Sequence, residues 1–394
     1  LPPALPSLMA GSKRRASKKK LAAAPPAVAT SSTLAAVGAA LLGAHSPPHP
    51  TPAFTSVADT LPKLKPVKVR GEDGAAAELE PDDVDPTLYE EIGGRVKAAD
   101  GTWIAWELVR PTPHASHGRP TKAPLLVTVN GLSNDGFQWR GLMPTLRKDH
   151  AVLSWDYRGH GCSENPRDTG AVSIAALAAD MEAVMADVSA RSLASTLHVT
   201  VVAYSMGCQV ALEWCRAHSH RVAGIALILG TPQHSLDSVL GRRLGNTAAA
   251  LMHSCPQSFE FLWDCATCAT FMASFIGHGF ARAAGVIRVP WIDFAPFYRH
   301  MKRLHGGAYM RMLVTGHRHS AMDVLEHLDR REVPTLIVTG GKDFSVSKQA
   351  GLRMHKAAPR ASFINLPGAC HAGMIGERGA VAGALTRVLE VQGE

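Results

Sequence analysis

Three side chains suited to nucleophilic catalysis follow apolar stretches of the sequence. Ser205 lies in the segment AYSMG, between the β-branched stretch VTVVAY and a stretch with helical periodicity. Asp343 and His371 each follow a later apolar stretch, in that order. A serine hydroxyl becomes a strong nucleophile when a histidine takes its proton and a carboxylate orients that histidine. The pattern therefore indicates acyl transfer through a covalent intermediate on Ser205.

The residues around Ser205 are small enough for a tight turn from strand to helix. Ala203 lies two residues before the serine and Gly207 two residues after it. Such a turn holds the serine in a strained conformation with its hydroxyl projecting. The N-terminus of the following helix supplies free N–H groups and the positive end of a dipole, which favour a developing oxyanion. An ordinary helix cap is the alternative role for this serine, and the strand–turn–helix context favours the nucleophile.

These features resemble the nucleophile elbow of the α/β-hydrolase superfamily, with Ala203 replacing the usual first glycine. The segment VNGL at 129–132 lies where the family usually has His-Gly, so Asn130 is a departure. The resemblance implies that the backbone N–H groups of Leu132 and Met206 form an oxyanion hole.

A second motif extends the resemblance. The segment DYRGHGCS at 156–163 resembles the D-x-R-G-x-G-x-S segment of the esterase, epoxide hydrolase and haloperoxidase branches. Its residues are mostly structural in that family, so we expect His160 to pack within the loop rather than to act as a base. A serine at the elbow excludes the epoxide hydrolases and haloalkane dehalogenases of this fold, which use an aspartate there.

The family also has the chain order serine, acid, histidine, which Asp343 and His371 satisfy. His371 would take the proton of Ser205 and return it to the leaving group. Asp343 would hold the imidazole in the required tautomer and stabilise its cation. A helix cap is the alternative role for Asp343.

Strands and helices that would position these residues alternate from Tyr89 onward. Apolar stretches predict an initial strand pair and six further strands, and helical periodicity is strongest at 173–190. Further helices are predicted near 136–148, from Ser205, near 346–357 and near 372–391. This alternation indicates an α/β fold with a mostly parallel sheet covered by helices on both faces. The catalytic candidates would lie at the carboxyl edge of the sheet, where ligands bind in such folds.

Residues 232–332 separate the sixth and seventh predicted strands, where the family usually carries a helical cap. Ten of the 23 aromatic residues lie within 259–298. We expect an apolar roof over the substrate, formed by Phe259, Trp263, Phe271 and Phe275, although such residues also suit the core of the cap itself. An exposed part of this surface would suit contact with a membrane or another protein.

Neither a metal nor a nucleotide cofactor is predicted. Cys265 and Cys268 form a single C-x-x-C motif without the second ligand pair that a zinc site needs, so free thiols are expected. The sequence also lacks a glycine-rich, phosphate-binding motif at a suitable position. Seven cysteines in 394 residues are typical of a reducing compartment.

The net charge of +8 belongs to the N-terminal segment and not to the folded part. Residues 1–58 lack acidic residues and contain six basic ones, so the remaining 35 Lys and Arg nearly balance 33 Asp and Glu. A nucleic-acid-binding domain carries its charge on a folded surface, and binding of nucleic acid is therefore not predicted.

The composition of residues 1–58 favours a transit segment for the mitochondrion or a plastid. A secretory signal and a cytoplasmic, low-complexity arm are the alternatives. This segment also offers a second possible contact with a membrane or protein. Residues 59–85 are expected to be a linker. The predicted hydrolase core comprises 86–231 and 333–394, interrupted by the insert at 232–332.

The sequence thus predicts a serine hydrolase that cleaves a carboxylic ester of an apolar acyl or aromatic substrate. A C–C bond hydrolase, a peptidase or an acyltransferase would use the same three residues. A catalytically silent scaffold or accessory subunit with this fold is the alternative from another class.

Overall fold

The computed structural model describes most of the chain from residue 67 onward. The described residues are 67–70, 76–79, 88–112, 124–267, 271–283 and 287–390. The backbone alone is described at 67–70, 76–79, 238–239, 262–267, 271–275, 388 and 390. The segment predicted to carry a targeting signal, residues 1–58, lies outside these ranges, and its role stays a prediction.

Ten strands form in the described part of the chain. Their bounds are β1 Val67–Arg70, β2 Ala76–Leu79, β3 Tyr89–Lys97, β4 Trp103–Pro111, β5 Leu125–Val129, β6 Val152–Trp155, β7 Val199–Tyr204, β8 Val222–Ile228, β9 Thr335–Gly340 and β10 Ser362–Leu366.

Strands β3 to β10 form one sheet in the order β10-β9-β8-β7-β5-β6-β4-β3. β3 pairs antiparallel with β4, and β4 pairs antiparallel with β6. All other pairs in the sheet are parallel. The prediction of a mostly parallel sheet preceded by an antiparallel pair is confirmed.

Helices cover both faces of this sheet. Along β7, Val201 and Ala203 face one apolar core, whereas Val202 and Tyr204 face a second core on the opposite side. All six residues of β7 are buried, which explains why the sequence shows a continuous apolar stretch and not an alternating one.

Twelve α-helices are described outside the sheet. Their bounds are α1 Met143–Leu146, α2 Ile174–Ala190, α3 Gly207–His218, α4 Asp237–Ser254, α5 Pro256–Thr267, α6 Phe271–Ala283, α7 Trp291–Met301, α8 Gly306–Arg318, α9 Met322–Arg330, α10 Lys348–Ala357, α11 Gly373–Gly376 and α12 Arg378–Glu390. The predicted helices at 173–190 and 346–357 correspond closely to α2 and α10.

Two of the predicted helices are interrupted. The helix expected at 136–148 is a 3-10 turn at Phe137–Trp139 followed by α1. Pro144 lies in the first turn of α1, where its missing N–H is tolerated, and so it starts a new helix instead of continuing one. The helix expected at 372–391 is divided at Glu377, whose φ of −120° and ψ of 32° are not helical.

The segment predicted as a linker contains β1 and β2, which pair as an antiparallel hairpin. Its register places Lys68 opposite Glu78. The alternation of valine with basic residues at 67–70 is typical of a strand. The role of residues 59–85 as a linker stays a prediction.

Six helices, α4 to α9, lie between β8 and β9, the sixth and seventh strands of the large sheet. α4 and α5 both pack against α8, and α6 packs against α7. We call residues 232–332 the insert. In the part of the chain that the structure describes, no helix is both long enough and apolar enough to cross a membrane.

Candidate active site

Ser205 occupies a strained turn between β7 and α3. Its φ is +53°, in the left-handed region that costs a residue with a Cβ about 1–2 kcal/mol. The backbone N–H of Ser205 donates to the carbonyl of Ile228 at 2.9 Å, which fixes the turn to the end of β8. Strain of this kind persists only where the surrounding structure imposes it, and it is typical of functional sites.

Two glycines allow the backbone to pack closely around this turn. A Cβ on Gly207 would lie 2.4 Å from the carbonyl oxygen of Val129, and one on Gly230 would lie 2.4 Å from that of Ser205. Both distances are too short for any side chain. Gly207 was expected from the sequence. The requirement at Gly230 was missed, although its position directly after an apolar strand was the available signal.

The structure brings Ser205, His371 and Asp343 into one hydrogen-bonded chain. Ser205 Oγ lies 2.9 Å from His371 Nε2, and His371 Nδ1 lies 3.0 Å from Asp343 Oδ2. The side chain of Asp343 is fully buried, whereas that of His371 is 25% exposed. The carboxylate is therefore shielded from water, while the imidazole remains accessible beside the serine.

The second oxygen of Asp343 anchors the carboxylate. Asp343 Oδ1 accepts the backbone N–H groups of Ser345 at 2.8 Å and Val346 at 2.9 Å. These bonds orient Oδ2 towards His371. The helix-cap alternative does not apply to α10, because its N-cap is Ser347, which accepts from Ala350 N–H.

Tyr204 links the elbow to the loop that carries the histidine. Its hydroxyl donates to the main-chain carbonyl of His371 at 2.7 Å, and the two ring centroids are 5.6 Å apart. Burial raises the pKa of Tyr204, and the charge of Asp343 raises it further, so the hydroxyl remains a donor. The sequence placed Tyr204 in the elbow motif but gave no sign of this contact with a residue 167 positions away.

The candidate oxyanion residues follow neighbouring strands. β5 pairs with β7 in a register that places Val129 opposite Ala203, so Leu132 and Met206 lie just beyond the same edge of the sheet. Met206 directly precedes α3, and the chain at Leu132 turns sharply at Ser133, whose φ is +67°. The oxyanion-hole role of the two N–H groups stays a prediction and is taken up below.

Asn130, the departure from the family pattern, is a buried scaffold residue. Its side-chain amide donates to the carbonyl of Trp155 at 2.9 Å, and its Oδ1 accepts Trp139 Nε1–H at 2.7 Å. Tyr157 donates its hydroxyl to the Asn130 carbonyl at 2.5 Å. The asparagine therefore fixes the start of the loop after β5.

The segment 156–163 has the structural role that the resemblance implied. Buried Arg158 pairs with Asp180 at 2.6 Å and with Asp100 at 2.7 Å. Ser163 donates its hydroxyl to the Asp156 carbonyl at 2.7 Å, which closes the loop. Burial raises the pKa of Asp156 well above its usual range, although its hydrogen bond from Cys162 N–H acts in the opposite direction.

His160 packs inside this loop, as expected. It is 2% exposed, its Nδ1 lies 3.2 Å from the Arg158 carbonyl, and its ring contacts those of Tyr157 and His300. Burial, together with nearby His300, lowers the pKa of His160 to about 3. His160 is therefore neutral at neutral pH.

Because His160 is neutral, we expect the effect of His160→Asn on stability to depend on pH. The asparagine keeps a side-chain donor for the Arg158 carbonyl. Because the folded pKa lies below the unfolded value, the wild type loses stability as the pH falls below about 6.5, by about 1.4 kcal/mol per pH unit from this group. The variant lacks this loss. Urea unfolding of both proteins at pH 6.5, 5.5 and 4.5 (roughly spanning the window) should show the variant gaining relative stability as the pH falls. A constant difference between the two proteins would contradict the assignment.

The residues expected to form the apolar roof lie on two helices of the insert. Phe259 on α5 is half-buried. Trp263 on α5 and Phe271 and Phe275 on α6 have side chains outside the described residues, so their role stays a prediction. Other apolar side chains of the insert face outward, with Phe280 74% exposed and Ile276 53% exposed. Contact with a membrane or protein through this surface also stays a prediction.

The structure describes five of the seven cysteines, all as free thiols: Cys162, Cys208, Cys215, Cys255 and Cys370. The side chains of the C-x-x-C pair, Cys265 and Cys268, lie outside the described residues. Among the residues that are described, no three His, Cys, Asp or Glu side chains form a group suited to a metal ion.

Several proteins of known structure share this fold. An enol-lactonase from Burkholderia xenovorans is 18% identical with a TM-score of 0.56, covering 75% of this chain and 100% of its own. An esterase from Exiguobacterium antarcticum has the same identity and TM-score over 76% of this chain and 100% of its own. A bromoperoxidase from Bacillus anthracis is 17% identical with a TM-score of 0.58, over 76% and 100% of the two chains. These likenesses define the fold as that of the α/β hydrolases.

A family model described as serine aminopeptidase, S33, matches residues 125–378, which include Ser205, Asp343 and His371. The chain belongs to this family of α/β hydrolases, and it is a hydrolase of the α/β-hydrolase type.

Proposed function

We propose that this hydrolase cleaves carboxylic esters of apolar acyl or aromatic acids through an acyl-enzyme on Ser205. The observation that carries the proposal is the hydrogen-bonded chain from Ser205 Oγ through His371 to the buried Asp343, with distances of 2.9 and 3.0 Å. Such a chain has no use in a scaffold, whereas it provides the base and the orienting acid that a serine nucleophile needs.

The first half-reaction forms a bond between Ser205 Oγ and the ester carbonyl carbon. His371 Nε2 takes the hydroxyl proton, and the carbonyl oxygen becomes an oxyanion. This oxyanion accepts hydrogen bonds from the backbone N–H groups of Leu132 and Met206. Asp343 stabilises the imidazolium formed in this step and keeps Nδ1 protonated. The strained backbone of Ser205 holds the hydroxyl beside the histidine before substrate arrives.

The intermediate then collapses and the ester C–O bond breaks. The imidazolium of His371 gives its proton to the leaving alkoxide, which departs as the alcohol. Water next attacks the acyl-enzyme with His371 as general base, the oxyanion forms again, and the acid is released with Ser205 regenerated. The partial exposure of His371 is consistent with this need for contact with both leaving group and water.

The substrate class rests on the apolar composition of the insert and on the relatives. Phe259 lies half-buried on an insert helix, and three further aromatic residues were predicted beside it. Two relatives of the same fold are named as an esterase and an enol-lactonase, both of which denote cleavage of a carboxylic ester bond. The family description names an aminopeptidase, which makes an amide substrate the second candidate.

A fluorophosphonate probe followed by p-nitrophenyl esters of increasing acyl length tests the proposal. We expect labelling of the wild type, loss of labelling in Ser205→Ala, and turnover of esters by the wild type. Ser254→Ala is the matched control, because this exposed serine donates its hydroxyl to the Ala250 carbonyl of its own helix at 2.9 Å.

The other outcomes identify the alternatives. Absence of Ser205-dependent labelling would favour the silent scaffold. Labelling without ester turnover would exclude the esterase, and amino-acid p-nitroanilides would then test the aminopeptidase. If neither class is hydrolysed, a C–C bond hydrolase or an acyltransferase is favoured.

A further inference from the structure

The loop after β5, residues 130–137, is fixed at its start by the core of the protein. Here we call it the β5 loop. Asn130 is buried and joined to Trp155, Trp139 and Tyr157 by the hydrogen bonds described above. A Cβ on Gly131 would lie 2.8 Å from the ring of Tyr204, so the next residue also packs tightly. This end of the loop cannot move without disturbing the sheet.

The outer part of the β5 loop has a strained backbone. Ser133 has a φ of +67° and Gly136 a φ of +89°. The left-handed region is unfavourable for a serine, so contacts around Ser133 must impose this conformation. Asn134 contributes one of them, since its amide donates to the Leu132 carbonyl at 3.0 Å. Other contacts reach this part of the loop from the insert.

Several contacts join this outer part to helices of the insert. The half-buried side chain of Tyr309 on α8 interacts with that of Ser133. His300 Nδ1 on α7 lies 3.3 Å from Asp135 Oδ2. The rings of Phe137 and Phe297 are 6.1 Å apart, also between the loop and α7.

The polar contacts are largely shielded from water. His300 is 5% exposed, and burial lowers its pKa to about 4, with the charge of Arg303 acting in the same direction. Burial raises the pKa of Asp135, which backbone N–H groups and Arg303 partly offset. A neutral imidazole therefore faces the carboxyl group at neutral pH. Separating buried polar groups without replacing their partners is unfavourable, so these contacts resist opening.

We propose that Tyr309 and His300 are positioning residues, which hold the β5 loop so that the Leu132 N–H faces the oxyanion. The inference rests on the proposed function, since the donor role of Leu132 belongs to that proposal. Leu132 directly precedes Ser133, so a change of backbone conformation at Ser133 would displace the peptide group of Leu132. A misplacement of about 1 Å in a catalytic site can reduce the rate about a hundredfold.

Two conservative substitutions would remove the interaction between Ser133 and Tyr309 from either side. Tyr309→Phe removes only a hydroxyl, and Ser133→Ala removes its partner. Each variant should lower kcat for a p-nitrophenyl ester about tenfold, with KM changed less than about twofold. The double variant should show no further loss, because both substitutions remove one interaction. Tyr89→Phe is the matched control, as its ring lies on β3 against Arg147.

Hydrogen exchange tests the positioning itself, without turnover. Peptides covering residues 131–137 should exchange about tenfold faster in Tyr309→Phe and in His300→Asn than in the wild type or the control, whereas peptides from β7 should not change. A merely structural role would change exchange throughout the sheet. Fluorophosphonate labelling of Ser205 in the wild type reports separately on the proposed function.

Unchanged exchange at 131–137 in both variants would overturn the inference, whatever the turnover. Faster exchange with an unchanged kcat would overturn it as well, because the loop would then have no effect on the reaction. Faster exchange with a lower kcat and additive effects in the double variant would assign the loss to something other than the interaction between Ser133 and Tyr309, and it would overturn the role of Tyr309.

Discussion

Ser205→Gly is expected to abolish ester hydrolysis and at the same time to stabilise the protein. Loss of the hydroxyl removes the nucleophile, and kcat should fall by about 10⁴-fold or more. Glycine adopts positive φ without the steric cost that a Cβ brings, and Ser205 has a φ of +53°. Relief of this strain should raise the free energy of unfolding by about 1 kcal/mol.

Ser205→Ala separates the two effects. Alanine also lacks the hydroxyl, but it keeps the Cβ and therefore the strain, so the variant should be inactive without becoming more stable. Ester turnover and urea unfolding of the wild type and both variants provide the measurements. Equal stability of the glycine and alanine variants would argue against strain at this position. Substantial turnover by either would rule out Ser205 as the nucleophile.

Asp343→Asn should lower kcat about 10³- to 10⁴-fold while leaving the fold intact. In the wild type, Asp343 Oδ1 accepts hydrogen bonds from the backbone N–H groups of Ser345 and Val346. In the variant, these two N–H groups would hold the side-chain carbonyl oxygen of the asparagine at the position of Oδ1. The amide NH₂ would then point towards His371. The histidine would then accept at Nδ1 and carry its proton on Nε2, where it cannot take the proton of Ser205.

The control for this variant is Asp168→Asn. Asp168 caps a 3-10 turn through a bond from Gly170 N–H at 2.7 Å, and asparagine serves equally well as a cap. It should keep the activity of the wild type. Steady-state kinetics and thermal unfolding of both variants are the measurements. If folded Asp343→Asn retained more than about a tenth of the wild-type kcat, the orienting role of Asp343 would have to be abandoned.

The strands were predictable because their sequence pattern follows directly from their burial. β7 and β9 are buried along their whole length, and both appear as continuous apolar stretches. Helix α2 was predictable for a related reason, since its buried residues recur every three or four positions. The single helix expected near 136–148 is instead a 3-10 turn followed by α1, because Pro144 starts a new helix there.

The catalytic candidates were predictable because each lies in the loop or turn after a parallel strand, β7, β9 or β10. Parallel strands bring their carboxyl ends to one edge, so Ser205, Asp343 and His371 were expected to meet despite long separations in sequence. The supporting contacts carry no comparable signal. Nothing near Tyr204 in sequence indicates a bond to the carbonyl of His371, and nothing near Asp135 indicates His300.

The sequence by itself determined the α/β class, the strand order along the chain and the residue types at the carboxyl edge, because hydrophobic periodicity and turn chemistry are local properties. Only the tertiary structure decided how those residues are held. The positive φ of Ser205, the backbone bonds that orient Asp343 and the insert contacts of the β5 loop each depend on groups brought together by packing. Such contacts follow from the shape of the folded chain, and no local pattern encodes them.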